Sequence, residues 1–168
     1  MARQPRIGDI ALSNRGSAGR YHTFGAYAHG VPSAPLPPEL VEFVRRPYPA
    51  VIATLRPDGS PHSVATWYDW EDGRVLVNMD ASRRRLVHVR RDPRVALTVL
   101  EDGAWYRHVS LLGRVERVER DAELKDIDRL AARYTGSPFR SRDAERYSAW
   151  IDVDAWHAWE GGAAWHPR

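Results

Sequence analysis

Six stretches of this chain have the hydrophobic pattern of β-strands, either as a compact apolar run such as "AVIATL" at 50–55 or as alternating side chains such as those of "RVLVNMD" at 74–80. Short turns rich in Gly, Pro and Asp join neighbouring stretches, as in "RPDG" at 56–59. Hairpin connections of this kind favour an antiparallel sheet that closes into a small barrel with helices at its edges. Gly113, inside the longest stretch, predicts a bulge or a bend. The predicted strands are 50–55, 62–70, 74–80, 94–101, 104–119 and 147–159.

Three other segments have the pattern of helices. "PPELVEFVRRP" has proline in its first turn and stops at Pro47. A short helix lies within "DASRRRLVHVRRDP", and the clearest helix, at 121–136, can be capped by Asp121 and ends at Gly136. The apolar face of that last helix consists of Leu124, Ile127, Leu130, Ala131 and Tyr134.

The first part of the chain differs from the rest. Residues 1–35 are rich in Gly, Ala and Ser and have no sustained period, which predicts an irregular arm. The barrel domain is then predicted to span residues 36–168.

Composition narrows the function classes. The chain has no cysteine, which excludes disulfides, thiolate zinc sites and cysteine nucleophiles and fits a reducing cytoplasm. It has no apolar run of the ~20 residues that a membrane span needs, and no apolar leader that would predict a signal peptide. We therefore expect a cytoplasmic protein without a membrane partner. A net charge of +3 favours anionic ligands without being diagnostic of nucleic-acid binding.

The arginine-rich segment at 80–93 raises a specific electrostatic question. Ser82 is a good N-cap, so Arg83, Arg84 and Arg85 would occupy the first helical turn, where the helix dipole disfavours cations. A bound phosphate would reverse that effect, because free N–H groups and guanidinium groups both bind it. A solvated arginine face explains the pattern about equally well. A nucleic-acid contact is a weaker explanation, since no recognised nucleic-acid-binding motif accompanies the basic face.

Motifs of other chemistries are absent from the sequence. It contains no HExxH, Walker-type or GxGxxG segment, and its histidines lack metal-ligand spacing, so no metal site is expected. Tyr68, Tyr106 and His108 are candidate proton donors, although a residue of this kind more often has a packing role. Trp67 can stack on a ring system or belong to the core. The catalytic residue, if there is one, stays undefined at this stage.

About fifty residues together resemble a known family. "ATLRPDGSPH", the "WYDW" strand and "SRRR…RRDPRV" between two strands are similar to the pyridoxamine 5'-phosphate oxidase-like split β-barrel superfamily. More narrowly, they resemble its oxidoreductases that depend on the deazaflavin coenzyme F420. The resemblance implies an FMN-binding-like antiparallel Greek-key barrel and a homodimer with the cofactor groove between subunits. It also implies hydride transfer between the bound cofactor and a small-molecule substrate, with reduction of an unsaturated compound expected.

The resemblance also implies which residues bind the cofactor. Basic residues after the third strand would hold its phosphate, the second strand would run along the ring system, and the end of the third strand would touch the cofactor. By position these are Arg83 and Arg85 with Arg84 beside them, then Ser63, Val64, Ala65 and Thr66, and lastly Asn78 and Met79.

The identity of the cofactor and of the substrate stays open between alternatives. "WHAWEGGAAWHPR" does not reproduce the substrate-binding segment of the vitamin-oxidising branch, which weighs against pyridoxamine phosphate as the substrate. The likeness favours coenzyme F420 over FMN. Candidate partners for its acidic tail are Arg56, Arg90, Arg91 and Arg94, which solvent exposure explains equally well. The alternatives are an FMN-dependent oxidase or reductase and a non-catalytic flavin- or haem-binding barrel.

Overall fold

An antiparallel sheet dominates the structure, which is a computed structural model describing residues 35–160 and the backbone of 163–164. The predicted arm therefore lies almost wholly outside the described residues, as does the end of the chain after 164. The helices are α1 (Pro38–Val44), α2 (Arg84–Arg91) and α3 (Lys125–Thr135). The strands are β1 (Ala50–Leu55), β2 (Pro61–Thr66), β3 (Asp69–Glu71), β4 (Arg74–Asp80), β5 (Arg94–Leu100), β6 (His108–Arg120), β7 (Arg146–Glu160) and β8 (Ala163–Ala164).

The strands form one sheet in the order β2-β1-β5-β6-β7-β4-β3, with β8 added to the end of β7. All of the described strand pairs are antiparallel. The long strands β6 and β7 join the two halves of the sheet, since β6 also pairs with β5 and β7 also pairs with β4. This arrangement confirms the predicted split β-barrel with flanking helices.

Gly113 lies at a shift in the pairing of β6 with β7, as its position predicts. A Cβ atom at this residue would lie 2.0 Å from the carbonyl oxygen of Asp152, so only glycine fits the approach of the two strands. The structure therefore confirms an irregularity in the strand at Gly113.

One apolar core fills the barrel and reaches under α1 and α2. The strands contribute alternate side chains to it, since successive residues of a strand point to opposite faces. Among the most deeply buried are Leu40, Val44, Ile52, Tyr68, Val75, Val77, Met79, Leu97, Val99 and Val109.

Two predicted elements differ from the structure. The stretch 62–70 is not one strand, because the chain leaves the pairing with β1 after Thr66 and resumes in β3 at Asp69. At the break the side chain of Tyr68 is fully buried, and its hydroxyl donates to the carbonyl oxygen of Arg46 at 2.9 Å. Residues 104–107 form consecutive turns before β6 instead of extending it.

The start of α3 also differs from the prediction, although the predicted capping group acts there. The helix begins at Lys125, four residues after Asp121, yet the Asp121 carboxylate accepts from the N–H groups of Asp126 at 3.3 Å and Ile127 at 3.0 Å. Gly136 ends the helix in the left-handed conformation, with φ of 74°.

Candidate functional site

The corner between β4 and α2 is organised by Asp80. Its carboxylate accepts from the backbone N–H and the hydroxyl of Ser82, and it pairs with Nε of Arg83 at 2.8 Å. Burial opposes ionisation of Asp80, but the hydrogen bonds from Ser82 and Arg83 outweigh it and lower the pKa of the carboxyl group. The corner is thus held by an acid that already neutralises one of the three arginines.

The predicted capping role of Ser82 is wrong. The structure places Arg83 at the N-cap of α2, without a side-chain cap, and the helix begins at Arg84. The Ser82 hydroxyl is bonded to Asp80 and does not cap the helix. The start of α2 therefore presents backbone N–H groups that its own cap side chain does not satisfy.

The three arginines of the corner have different environments. The Arg83 side chain is 66% exposed and paired with Asp80, and Arg84 is also exposed. Arg85 turns inward, where its Nη2 donates to the carbonyl oxygen of Asn78 at 2.8 Å. Its Nε is buried without a hydrogen-bond partner among the described residues. Burial, together with the neighbouring charges of Arg83 and Arg146, lowers the pKa of Arg85 to about 10.

Asn78 and Met79, at the end of β4, are more deeply enclosed than the resemblance implies. The Asn78 amide donates to Asp121 and to the hydroxyl of Ser148, each at 3.1 Å. Its side-chain oxygen accepts from Nε of Arg146 at 2.7 Å. Met79 is only 1% exposed and belongs to the core. The side chain of Asn78 is therefore engaged within the protein.

A cavity of about 1020 Å³ opens beside this corner. Its lining includes four arginines, Arg83, Arg84, Arg85 and Arg146, together with aromatic and proline residues. All of the residues that the resemblance implied line this cavity except Ser63: Val64, Ala65, Thr66, Asn78, Met79, Arg83, Arg84 and Arg85. A groove of this size suits a flat molecule that carries an anionic group at one end.

Strand β2 forms one wall of the cavity and is the terminal strand of the described sheet. Ser63 and Ala65 are exposed, whereas Val64 is half-buried against the core and Thr66 is buried. Because an edge strand leaves the polar groups of one side unpaired, its backbone can bond a ligand that lies along it.

Three aromatic rings of the cavity lining contact one another. The ring of Trp67 stacks on that of Tyr134 with centroids 5.6 Å apart, and Phe139 contacts Trp67 edge-on at 6.3 Å. The Tyr134 hydroxyl donates to the carbonyl oxygen of Tyr48 at 3.0 Å, and burial raises the pKa of Tyr134 to about 12. This phenol is therefore a wall of the cavity and not an acid at neutral pH.

The cavity residues that the sequence analysis did not assign to the site include two with a basic side chain, His62 and Arg146. His62 precedes the predicted ring-binding segment, and its ring meets that of His88 edge-on at 5.3 Å. Nδ1 of His88 is 3.0 Å from the Thr54 hydroxyl, and burial lowers the pKa of His88. The position of His62 on β2, next to the predicted ring-binding segment, could have indicated it as a cavity residue. Arg146 begins a strand distant in sequence, and no local sequence pattern indicates that it lines the cavity.

The candidate proton donors are not among the described residues that line the cavity. Tyr106 is 56% exposed on the turn before β6, and His108 is the first residue of β6. The Tyr68 hydroxyl is bonded inside the core, and burial raises the pKa of this phenol.

The candidate tail-binding arginines also lie outside the described cavity lining. Arg94 pairs with Asp92 at 2.6 Å, and the guanidinium of Arg90 lies 4.6 Å from the ring centroid of Tyr147. Arg56 donates to the Ser60 hydroxyl at 3.2 Å, and Arg91 is exposed at the end of α2.

Fold and site together define a split β-barrel with a groove lined by arginines and aromatic rings. The chain belongs to the pyridoxamine 5'-phosphate oxidase family, whose sequence profile matches residues 36–160. Among curated proteins, none matches the chain.

Solved structures share this fold. A protein described as an F420 reductase is 25% identical with a TM-score of 0.63, and the match covers 75% of this chain and 98% of that one. The conserved hypothetical protein Rv2991 from Mycobacterium tuberculosis is 28% identical with a TM-score of 0.62, covering 76% of this chain and 86% of that one. General Stress Protein 26 from Bacillus anthracis, at 18% identity, a TM-score of 0.55 and coverage of 72% and 92%, shares the fold alone.

No described helix has the length and apolar character needed to cross a membrane.

Proposed function

We propose that this protein is an oxidoreductase that binds the deazaflavin coenzyme F420 in the groove and reduces a small unsaturated compound with it. The observation that carries the proposal is Arg85, a largely buried guanidinium whose Nε has no partner in the described part of the chain. A buried donor without a partner is costly, and a phosphate group of a bound cofactor would satisfy it. The neighbouring F420 reductase fold supports the choice of cofactor.

The residues present fit a cofactor that has a planar ring system and a phosphate. Arg85 would hold the phosphate, with Arg83 and Arg84 at the exposed side of the same corner. The backbone of Ser63–Thr66 would run along the ring system, and the aromatic residues of the lining offer apolar contacts to it. When bound, the cofactor supplies the hydride transfer, and the chain binds it, orients it and excludes water.

FMN is the second candidate, because the family is that of pyridoxamine 5'-phosphate oxidase and FMN also carries a phosphate. We further propose that the protein acts in the cytoplasm as a homodimer with the groove at the subunit interface. The exposed edge of β2 beside the cavity is consistent with a partner at that position.

The choice between the two cofactors can be tested by titrating the protein with each and following fluorescence quenching. We expect coenzyme F420 to bind more tightly than FMN. We also expect the protein to oxidise the reduced deazaflavin in the presence of at least one compound from a panel of enones and quinones. Tight FMN binding without deazaflavin binding would identify a flavin enzyme instead. Binding without turnover of any panel member would favour a non-catalytic role.

A further inference from the structure

Arg146, the first residue of β7, is the most enclosed cation of the cavity. It is 8% exposed, its Nε donates to the side-chain oxygen of Asn78 at 2.7 Å, and its guanidinium lies 4.5 Å from the ring centroid of Phe139. Arg85 reaches the backbone oxygen of the same asparagine. Two cations that are far apart in sequence are thus tied to one residue, Asn78.

These two guanidinium groups lack a countercharge in direct contact. Within residues 35–160, no carboxylate forms an ion pair with Arg85 or Arg146. The nearby acids are engaged elsewhere: Asp80 with Ser82 and Arg83, and Asp121 with Asn78 and the first N–H groups of α3. Burying cations side by side without a partner is costly, and burial lowers the pKa of both arginines. A bound anion would offset that cost.

The contacts of Arg146 leave its terminal amino groups available. Nε is held by Asn78, and the face of the guanidinium packs on Phe139, a contact that uses no N–H donor. The side chain is therefore fixed in orientation while its Nη groups remain able to donate. Guanidinium groups held in this way bind phosphate oxygens bidentately.

We propose that Arg146 and Arg85 jointly bind one phosphate group in the cavity, and that Asn78 is the positioning residue for both guanidiniums. The subsite is then built from β7 as well as from the β4–α2 corner. The identity of the molecule that carries the phosphate rests on the proposed function. The presence of the anion site does not.

The test compares ligands that differ only by the phosphate. FMN is compared with riboflavin, and the 5'-phosphate of the ribityl deazaflavin, which lacks the acidic tail, with the unphosphorylated ribityl deazaflavin, in the wild type and in Arg146→Met, Arg146→Lys and Arg120→Met. Arg120 is a matched control, since it lies opposite Tyr147 on the neighbouring strand, is 65% exposed and pairs with Glu145. Stabilisation by inorganic phosphate, followed as a shift in melting temperature, provides a readout independent of either cofactor.

We expect Arg146→Met to reduce the preference for the phosphate-bearing ligand by roughly 10- to 100-fold, as loss of a charge-assisted hydrogen bond would. The preference of Arg146→Lys should lie between those of the wild type and Arg146→Met, because lysine keeps the positive charge but cannot donate two parallel hydrogen bonds. Arg120→Met should keep the wild-type preference. Each preference is measured within one variant, so a general loss of stability cancels.

The outcomes separate this inference from the proposed function. An unchanged preference in Arg146→Met overturns the inference while leaving the proposed function standing. If the wild type binds neither cofactor but is stabilised by phosphate through Arg146, the proposed function fails and the anion subsite stands. A wild type with no phosphate preference and no stabilisation by phosphate overturns both.

Discussion

Replacing Arg85 by methionine is expected to weaken binding of a phosphate-bearing cofactor about 100-fold without harming the fold. The guanidinium is enclosed, it is hydrogen-bonded only to the Asn78 carbonyl oxygen among the described residues, and its Nε has no partner. Methionine keeps the apolar stem and removes a buried charge, so the melting temperature of the free protein should be unchanged or higher. Isothermal titration and thermal denaturation of the same samples would measure both effects.

Arg91→Met is the matched control for this variant. Arg91 lies on the same helix, carries the same charge and is exposed outside the described cavity lining. We expect the affinity of Arg91→Met for the phosphate-bearing cofactor to stay within a few-fold of the wild type, because a screened surface charge contributes little to binding. Equal losses in the two variants would mean that overall charge, and not a contact of Arg85, determines binding.

The Gly113→Ala substitution should destabilise the protein by at least about 3 kcal/mol. The added methyl group would lie 2.0 Å from the carbonyl oxygen of Asp152, which is backbone and cannot rotate away. The paired strands β6 and β7 would have to separate at the register shift. For a chain of this size we expect the melting temperature to fall by about 10 °C, measured by circular dichroism.

Gly59→Ala provides the comparison for this variant. Gly59 has φ of 83°, but no atom lies within 4 Å of the position of an added Cβ, so only backbone strain of about 1 kcal/mol is expected. If Gly113→Ala proved no more harmful than Gly59→Ala, the close approach of β6 and β7 would not be a constraint on the fold.

Much of the fold follows from local patterns in the sequence. Compact apolar runs and alternation predict β1, β4, β5 and β7 within a residue or two, because each of these strands contributes apolar side chains to the core. Gly136 ends its helix as predicted, since a left-handed residue is required there. The break in 62–70 could not be predicted, because the same alternation continues through Tyr68 while the strand pairing stops.

The candidate site was predictable only where its residues are contiguous. The arginine run indicated an anion site, but it did not distinguish the inward Arg85 from Arg83, which pairs with Asp80. Ser82 has the composition of a cap, yet an acid two residues earlier competes for its hydroxyl. Arg146 reaches the cavity only because β7 pairs with β4 opposite Asp80, a long-range contact that leaves no local pattern.

A crystal structure of the protein with the deazaflavin coenzyme tests the central claim most directly. We predict that the phosphate of the coenzyme lies within hydrogen-bonding distance of the Arg85 guanidinium at the start of α2, with the ring system along β2. A coenzyme bound elsewhere, or a phosphate directed away from Arg85 into solvent, would contradict the account.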